Sequence, residues 1–444
     1  MSKKPRNILL VHQNFPGQFR HLVSHWSQRA DLRVVGLGGT ISPGVPGLKH
    51  LRYRSPATKT HSHPYLRPME QAVRTGQAAA RAYLQLKKQG FTPDVVLAHP
   101  GWGETLYLRD VFPDTRIIHF CEWYYHAQGT DIGFDPEFPC TLNDQARIRT
   151  WNALHALNFT LCDEGISPTA WQRSVHPPIF QQRIHQLHEG IDTEQLGPDP
   201  HAAITLLDGT RLKAGDPVIT YVARNLEPYR GIHHFLRSLA IVQQQHPTCH
   251  ALIVGGDNIS YGQPPKDAAN WREKLTREIA LDPKRTHFLG RLPYNAYRRV
   301  LQVSAAHVYL SYPFVLSWSM LEAMACGCLV IGSDTAPVRE ILRHGENGWL
   351  VDFFDDAAIA RQISAALEAP SAQMPLRKQA RTDILTQYTL QQGLQGYNRL
   401  LGIPASEQDC QPKPSPKTPR QQKPANQPVQ PPCRTGQLFW KQIA

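Results

Sequence analysis

The feature that most restricts this chain is an alternation of short apolar runs with helical stretches, which runs its course once and then starts again. Ile8-Leu-Leu-Val-His12 is an apolar run ending in a turn, and helical spacing follows from Phe19 to Trp26. Leu32 to Leu37, Asp94 to Ala98 and Arg116 to Phe120 read as further strands, with a helix predicted over Met69 to Gln89. The pattern resumes at Pro217 to Val222 and continues through strands at His250 to Val254, Thr286 to Leu289, His307 to Leu310 and Leu329 to Gly332. Helices are predicted between them at Ile232 to Gln244, Trp271 to Ile279, Tyr294 to Val303 and Ser319 to Ala325. Such alternation implies parallel sheets covered on both faces, hence an α/β protein of two doubly wound, Rossmann-like domains. The joint is expected near His188 to Pro200, where Gly190, Gly197, Pro198 and Pro200 interrupt the periodicity.

With 444 residues the chain exceeds what one core comfortably serves. No run approaches the roughly 20 apolar residues of a membrane span, and Ile8 to Val11 is too short for a signal peptide, so a cytoplasmic location is expected. The cysteines lie singly, apart from Cys326 and Cys328 in a small, apolar run, and read as buried free thiols rather than a zinc site. From Pro404 onward the composition turns to Pro, Gln and Lys, so residues 404–444 read as a disordered tail with one apolar island, Leu438-Phe439-Trp440. That tail carries six basic residues and two acids, so +4 of the net +12 belongs to it and +8 to the body. A basic body suits an anionic substrate or the anionic face of a membrane. Nucleic acid is not an expected partner, because no helix-turn-helix, zinc-finger or RNA-binding aromatic signature is present.

Parallel sheets bind ligands at the carboxyl ends of their strands. Gly17, in His12-Gln-Asn-Phe-Pro-Gly-Gln-Phe19, stands where backbone could approach a ligand beside a helix start. Neither this turn nor Gly36-Leu-Gly-Gly39 forms a G-x-G-x-x-G fingerprint after a first strand, which argues against a dehydrogenase. The second domain opens on Arg224-Asn-Leu-Glu-Pro-Tyr-Arg-Gly231, whose two guanidiniums could grip a diphosphate from two directions without a metal ion. Further on, Glu322 sits among Leu, Ala and Met in a small-residue helix. A carboxylate there needs a partner, either paired ribose hydroxyls or backbone and water.

The Glu322 segment, ending Leu-Glu-Ala-Met-Ala-Cys-Gly327, resembles the C-terminal signature of retaining glycosyltransferase family 4. Arg224 to Gly231 is similar to that family's diphosphate-binding turn, and His12 to Leu22 resembles the N-terminal domain of one subgroup. The resemblance implies a GT-B fold: residues 1–195 on the acceptor side, 196–379 binding the nucleotide sugar across a cleft, and 380–403 as a helix returning to the first domain. It further implies that Arg224, Arg230 and Gly17 meet the donor diphosphate, Glu322 the ribose, and the backbone at Arg291 and Leu292 the base. The catalytic histidine or acid is implied at the level of His119, Glu122 and His126, among which the sequence does not choose. Gly101 to Glu104 and Gly129 to Glu137 would line the acceptor side.

One departure stands out. The family places an acid eight positions before the second glutamate, and here that position is Phe314. Ser317 and Ser319, or backbone amides, are expected to take over the donor-sugar contact. The expected activity is retaining, metal-independent transfer, without a cofactor, from a nucleotide sugar to a glycan or lipid-linked precursor of surface polysaccharide, in the cytoplasm or at the inner face of the membrane. A catalytically impaired binding or scaffold protein on the same fold is the second reading.

Overall fold

The computed structural model describes residues 5–57 and 62–405; the expected tail lies almost wholly outside them. The chain divides into two compact units, one of Met1–Glu189 with Pro313–Val315, the other of Gly190–Tyr312 with the segment from Leu316 on.

In the first unit, seven strands form one parallel sheet: β1 (Arg6–Val11), β2 (Leu32–Gly39), β3 (His50–Tyr53), β4 (Val95–Ala98), β5 (Arg116–Phe120), β6 (Glu164–Ser167) and β7 (Ile184–Gln186). They are ordered β3-β2-β1-β4-β5-β6-β7. Ile8 pairs with Val34 on one side and Val95 on the other, which makes β1 central. Its residues Ile8 to Val11 have no exposed surface, as a strand covered on both faces demands. The Leu142–Leu161 helix begins with a reciprocal capping box between Thr141 and Asp144.

The second unit opens with an antiparallel hairpin, β8 (Ala203–Thr205) and β9 (Arg211–Lys213). Six parallel strands follow: β10 (Val218–Asn225), β11 (His250–Gly256), β12 (Thr286–Gly290), β13 (Ala306–Tyr309), β14 (Val330–Ser333) and β15 (Trp349–Val351). Their order is β12-β11-β10-β13-β14-β15. Ile191 and Leu196 are buried in this unit's own core, so the divide falls at Glu189, ahead of the expected 195/196 boundary.

The single helix expected over 380–403 is two. One helix spans Met374–Gln387, enclosing the expected boundary at 379, and a second, Leu390–Leu401, restarts on a Thr389–Gln392 capping box. Thr389 is extended at that point, and its neighbour Leu390 donates to the carbonyl of Ile191, so the ladder stops there. Both helices belong to the second unit. The first of them staples the end of the Trp318–Ala325 helix: Arg377 Nε donates to the Gly327 carbonyl at 2.6 Å, and Arg381 to that of Ala325. Cations at a helix C-terminus complement its dipole.

Among the described residues the cysteines are free and, apart from half-buried Cys140, buried. No described helix is long and apolar enough to cross a membrane.

Candidate functional site

In each sheet the strand order reverses beside its central strand, at β1/β4 in the first unit and β10/β13 in the second. Open parallel sheets place ligands at such switch points, outside the carboxyl ends of the strands. Both ends carry polar side chains here.

In the first unit β1 runs out into His12 and β4 into His99, both buried, with ring centroids 5.3 Å apart. Half-buried Trp102 stacks on His99 at 4.2 Å and meets the His12 ring edgewise at 5.1 Å. Backbone amides settle the tautomers: Asn14 N–H donates to His12 Nδ1 and Gly101 N–H to His99 Nδ1, so each neutral ring carries its proton on Nε2. His99 Nε2 then lies 3.1 Å from Glu122 Oε2, while Gln18 Nε2 donates to Oε1 at 2.8 Å. Burial pushes the Glu122 carboxyl up, but the hydrogen bonds from His99 and Gln18 act against it, and its pKa lies below the usual value. The result is an ionised carboxylate on an imidazole N–H, a pair suited to orienting a ring and stabilising positive charge on it.

Of the three candidates at this level, Glu122 alone joins that cluster. His119 lies inside β5 with 1% of its surface exposed, and burial lowers its pKa to about 3, so it is a neutral core residue. His126 donates from Nε2 to the Val175 carbonyl at 2.6 Å. Gly17 has a structural role of its own. Its φ is +52° and a Cβ there would stand 2.5 Å from the His12 ring, so the glycine makes room for His12. Its N–H already donates to the Asn14 carbonyl. In the loop after β4, Glu104 is completely buried, accepts from the Tyr53 hydroxyl, and has its pKa raised by burial.

In the second unit β10 ends in half-buried Arg224 and buried Asn225, and a tight turn brings Arg230 back with only 5% exposure. Gly231 closes the turn at φ +67°, where a Cβ would strike Leu310 at 2.5 Å. Arg230 Nη1 donates to Ser311 Oγ at 2.8 Å and to the Tyr309 hydroxyl at 3.2 Å, which fixes the guanidinium at the end of β13. Arg291 donates to Asn225 Oδ1 at 2.9 Å; burial, then the charge of nearby Arg224, lowers its pKa. Three guanidiniums thus gather around one switch point. A bound anion would offset the repulsion between Arg291 and Arg224.

Ser317 caps the Trp318–Ala325 helix, its Oγ accepting from Ser319 N–H at 3.3 Å and lying 3.0 Å from Ser319 Oγ. Both expected sugar-contact hydroxyls are therefore part of a helix start. Glu322, buried in that helix, accepts from the Tyr297 hydroxyl at 2.6 Å and from Tyr294 at 3.2 Å. Its carboxylate has protein partners and retains lone pairs for others. Leu292 is a core residue, so only its backbone could meet a base. Phe314, where the acid was expected, is buried and counts with the first unit; its ring meets Trp123 at 4.8 Å and its carbonyl accepts from Trp171.

Sequence reasoning missed His12 and His99 as members of this cluster, whereas Trp102 lies within the Gly101 to Glu104 stretch expected on the acceptor side. The signal for both histidines was available, since each directly follows the last apolar residue of a predicted strand.

Residues 30–196 match the family described as Glycosyl transferase family 4 group, and residues 206–383 match Glycosyl transferases group 1. A glycogen synthase of Mycobacterium tuberculosis is 24% identical over 332 residues, 71% of each chain. Among solved structures, sucrose-phosphate synthase from Thermosynechococcus elongatus superposes with a TM-score of 0.65 at 20% identity, covering 90% of this chain and 100% of that one. Anabaena Alr3699/HepE in complex with UDP-glucose gives 0.63 at 16% identity, covering 89% and 99%.

Proposed function

Since this chain is a GT-B glycosyltransferase of the family 4 type, we propose that it moves a sugar from a nucleotide-diphosphate donor to a glycan or lipid-linked acceptor with retention at the anomeric carbon. The observation that carries this reading is the second switch point, where Arg224 and Arg291 stand at the end of β10 and Arg230 donates to the Tyr309 hydroxyl, which itself accepts from Ser317 N–H at the capped start of the Trp318–Ala325 helix. Arg224 and Arg230 take the diphosphate, Glu322 the ribose, and the backbone at Arg291 and Leu292 the base. The donor sugar lies at the helix start, where Ser317 and Ser319 stand in for the acid that Phe314 replaces.

The bond from the anomeric carbon to the diphosphate breaks, and its electron pair leaves with the phosphate. The acceptor oxygen bonds on the same face and its proton passes to the departing diphosphate. Guanidiniums fixed in advance stabilise that developing charge in place of a metal ion or other cofactor. In the first unit, Glu122 and His99 hold the acceptor side, with Trp102 as a flat apolar surface beside them. A cytoplasmic setting at the inner membrane face suits the +8 body and an anionic, lipid-linked precursor of surface polysaccharide.

The test is a panel of UDP-, GDP- and ADP-sugars incubated with purified protein in EDTA and read by mass spectrometry. Turnover of one donor that disappears in Arg224→Ala and Glu322→Ala is the expected result. A blank panel, with no thermal shift by any nucleotide sugar, sinks the reading.

A further inference from the structure

Between Arg224 and Arg230 stands a carboxylate that the donor reading does not use. Glu227 has no exposed surface. Its Oε1 accepts from Ser260 N–H at 3.0 Å, and its Oε2 from Tyr261 N–H at 3.1 Å and Gly262 N–H at 3.0 Å. Three successive backbone N–H groups form an anion-binding concavity, and here the chain's own carboxylate fills it. Asn225 adds a second tie to the same loop, donating to Ser260 Oγ at 2.7 Å while accepting from Arg291.

What the loop carries is Tyr261. Its ring lies 5.7 Å from the Arg230 guanidinium carbon in a cation–π arrangement, and 5.8 Å from the Tyr229 ring, which in turn packs on Tyr312 at 4.8 Å. Arg230 is therefore held from two sides, by Ser311 and Tyr309 from β13 and by Tyr261 from the loop after β11. Only the second support depends on Glu227.

We infer that Glu227 is a positioning residue for the phosphate clamp: it fastens the Ser260–Gly262 loop so that Tyr261 holds Arg230 in the orientation that receives a diphosphate. This rests on the donor reading above. A glutamine at 227 keeps the size but turns an N–H₂ group toward backbone N–H groups, so at least one of the three bonds is lost. The loop then loosens, and Arg230 spends part of its time misdirected.

The experiment titrates the full-length chain with inorganic pyrophosphate, without metal, by calorimetry, which reads the clamp whatever base the donor carries. Wild type, Arg230→Ala, Glu227→Gln and Tyr261→Ala are compared, with melting temperatures taken in parallel. Glu227→Gln and Tyr261→Ala should each weaken pyrophosphate by about tenfold, and the double variant should be little worse than the weaker single one, because both act through one loop. Turnover of the panel's donor should suffer in KM rather than kcat. A lower melting temperature with unchanged pyrophosphate affinity in Glu227→Gln and Tyr261→Ala, while Arg230→Ala binds poorly, overturns the inference and leaves the donor reading standing. Should Glu227→Gln not fold, Tyr261→Ala alone decides in the same way. Wild-type protein that ignores pyrophosphate, or Arg230→Ala that binds it as well as wild type, removes the donor reading and this inference together.

Discussion

The two switch points occupy the same place in two similar sheets, yet their chemistry is opposite. The first is built from imidazoles and an indole around one ionised carboxylate, with protons assigned by backbone amides. The second is built from guanidiniums and hydroxyls, which keep their protons at any working pH. A shared topology therefore fixes where a ligand sits, while the residues that follow each strand decide whether the site handles protons or negative charge.

The sharpest way to break this comparison is Arg230→Ala. Losing a charge fixed on the leaving diphosphate should lower kcat/KM by about 10²–10³-fold, measured with the donor that the panel returns. Next comes Glu122→Gln, which should lower kcat by roughly tenfold to a hundredfold and move the acid limb of its pH profile, while pyrophosphate affinity stays unchanged. Equal damage to pyrophosphate binding would show that the two sites do not divide the work in this way. Smaller still is Tyr297→Phe, which strips the shorter hydrogen bond from Glu322 and should cost about 1 kcal/mol of stability, read by chemical denaturation.

The last prediction concerns acid. In the first unit burial lowers His119 and His155 to about 3, and His50, His176 and His188 to about 4. A histidine whose pKa is depressed by folding stabilises the native state above its unfolded value of 6.5, and that stability drains away as pH falls toward the folded value. In the second unit His307 is lowered to about 3 by burial, with smaller downward shifts at His250 and His287. Hydrogen exchange at pH 7 and pH 5 should therefore show first-unit strands losing protection before those of the second. Uniform loss across both sheets would contradict this.

Much of this was readable in advance, for a physical reason. The central strands β1, β4, β5, β10, β11 and β13 are largely buried on both faces, so they appear as runs dominated by apolar residues. The strands that escaped notice are β3, β6, β7, β8, β9 and β15, three or four residues each and too short to stand out as a periodic run. Missing β3 also made β5 look like a fourth strand. Within the sites, Arg224, Arg230 and Glu322 declared themselves through local pattern. The His12–His99–Glu122 cluster did not, because its members are joined only by the β1/β4 pairing and the turn after β5. Glu227 was hidden for a similar reason, since its three partners come from the loop after β11.

The staple formed by Arg377 and Arg381 has a consequence in time. Chains are made from the N-terminus, and domains fold as they emerge. Every side chain of the imidazole cluster has left the ribosome once Gln172, the partner of the Glu122 carbonyl, is out. The Glu322 helix is translated by Ala325 but lacks its closing cations until Arg381 appears, fifty-six positions later. The unit that carries Arg224, Arg230 and Glu322 is thus the last to be completed, and the side chains of the imidazole cluster are made well before it.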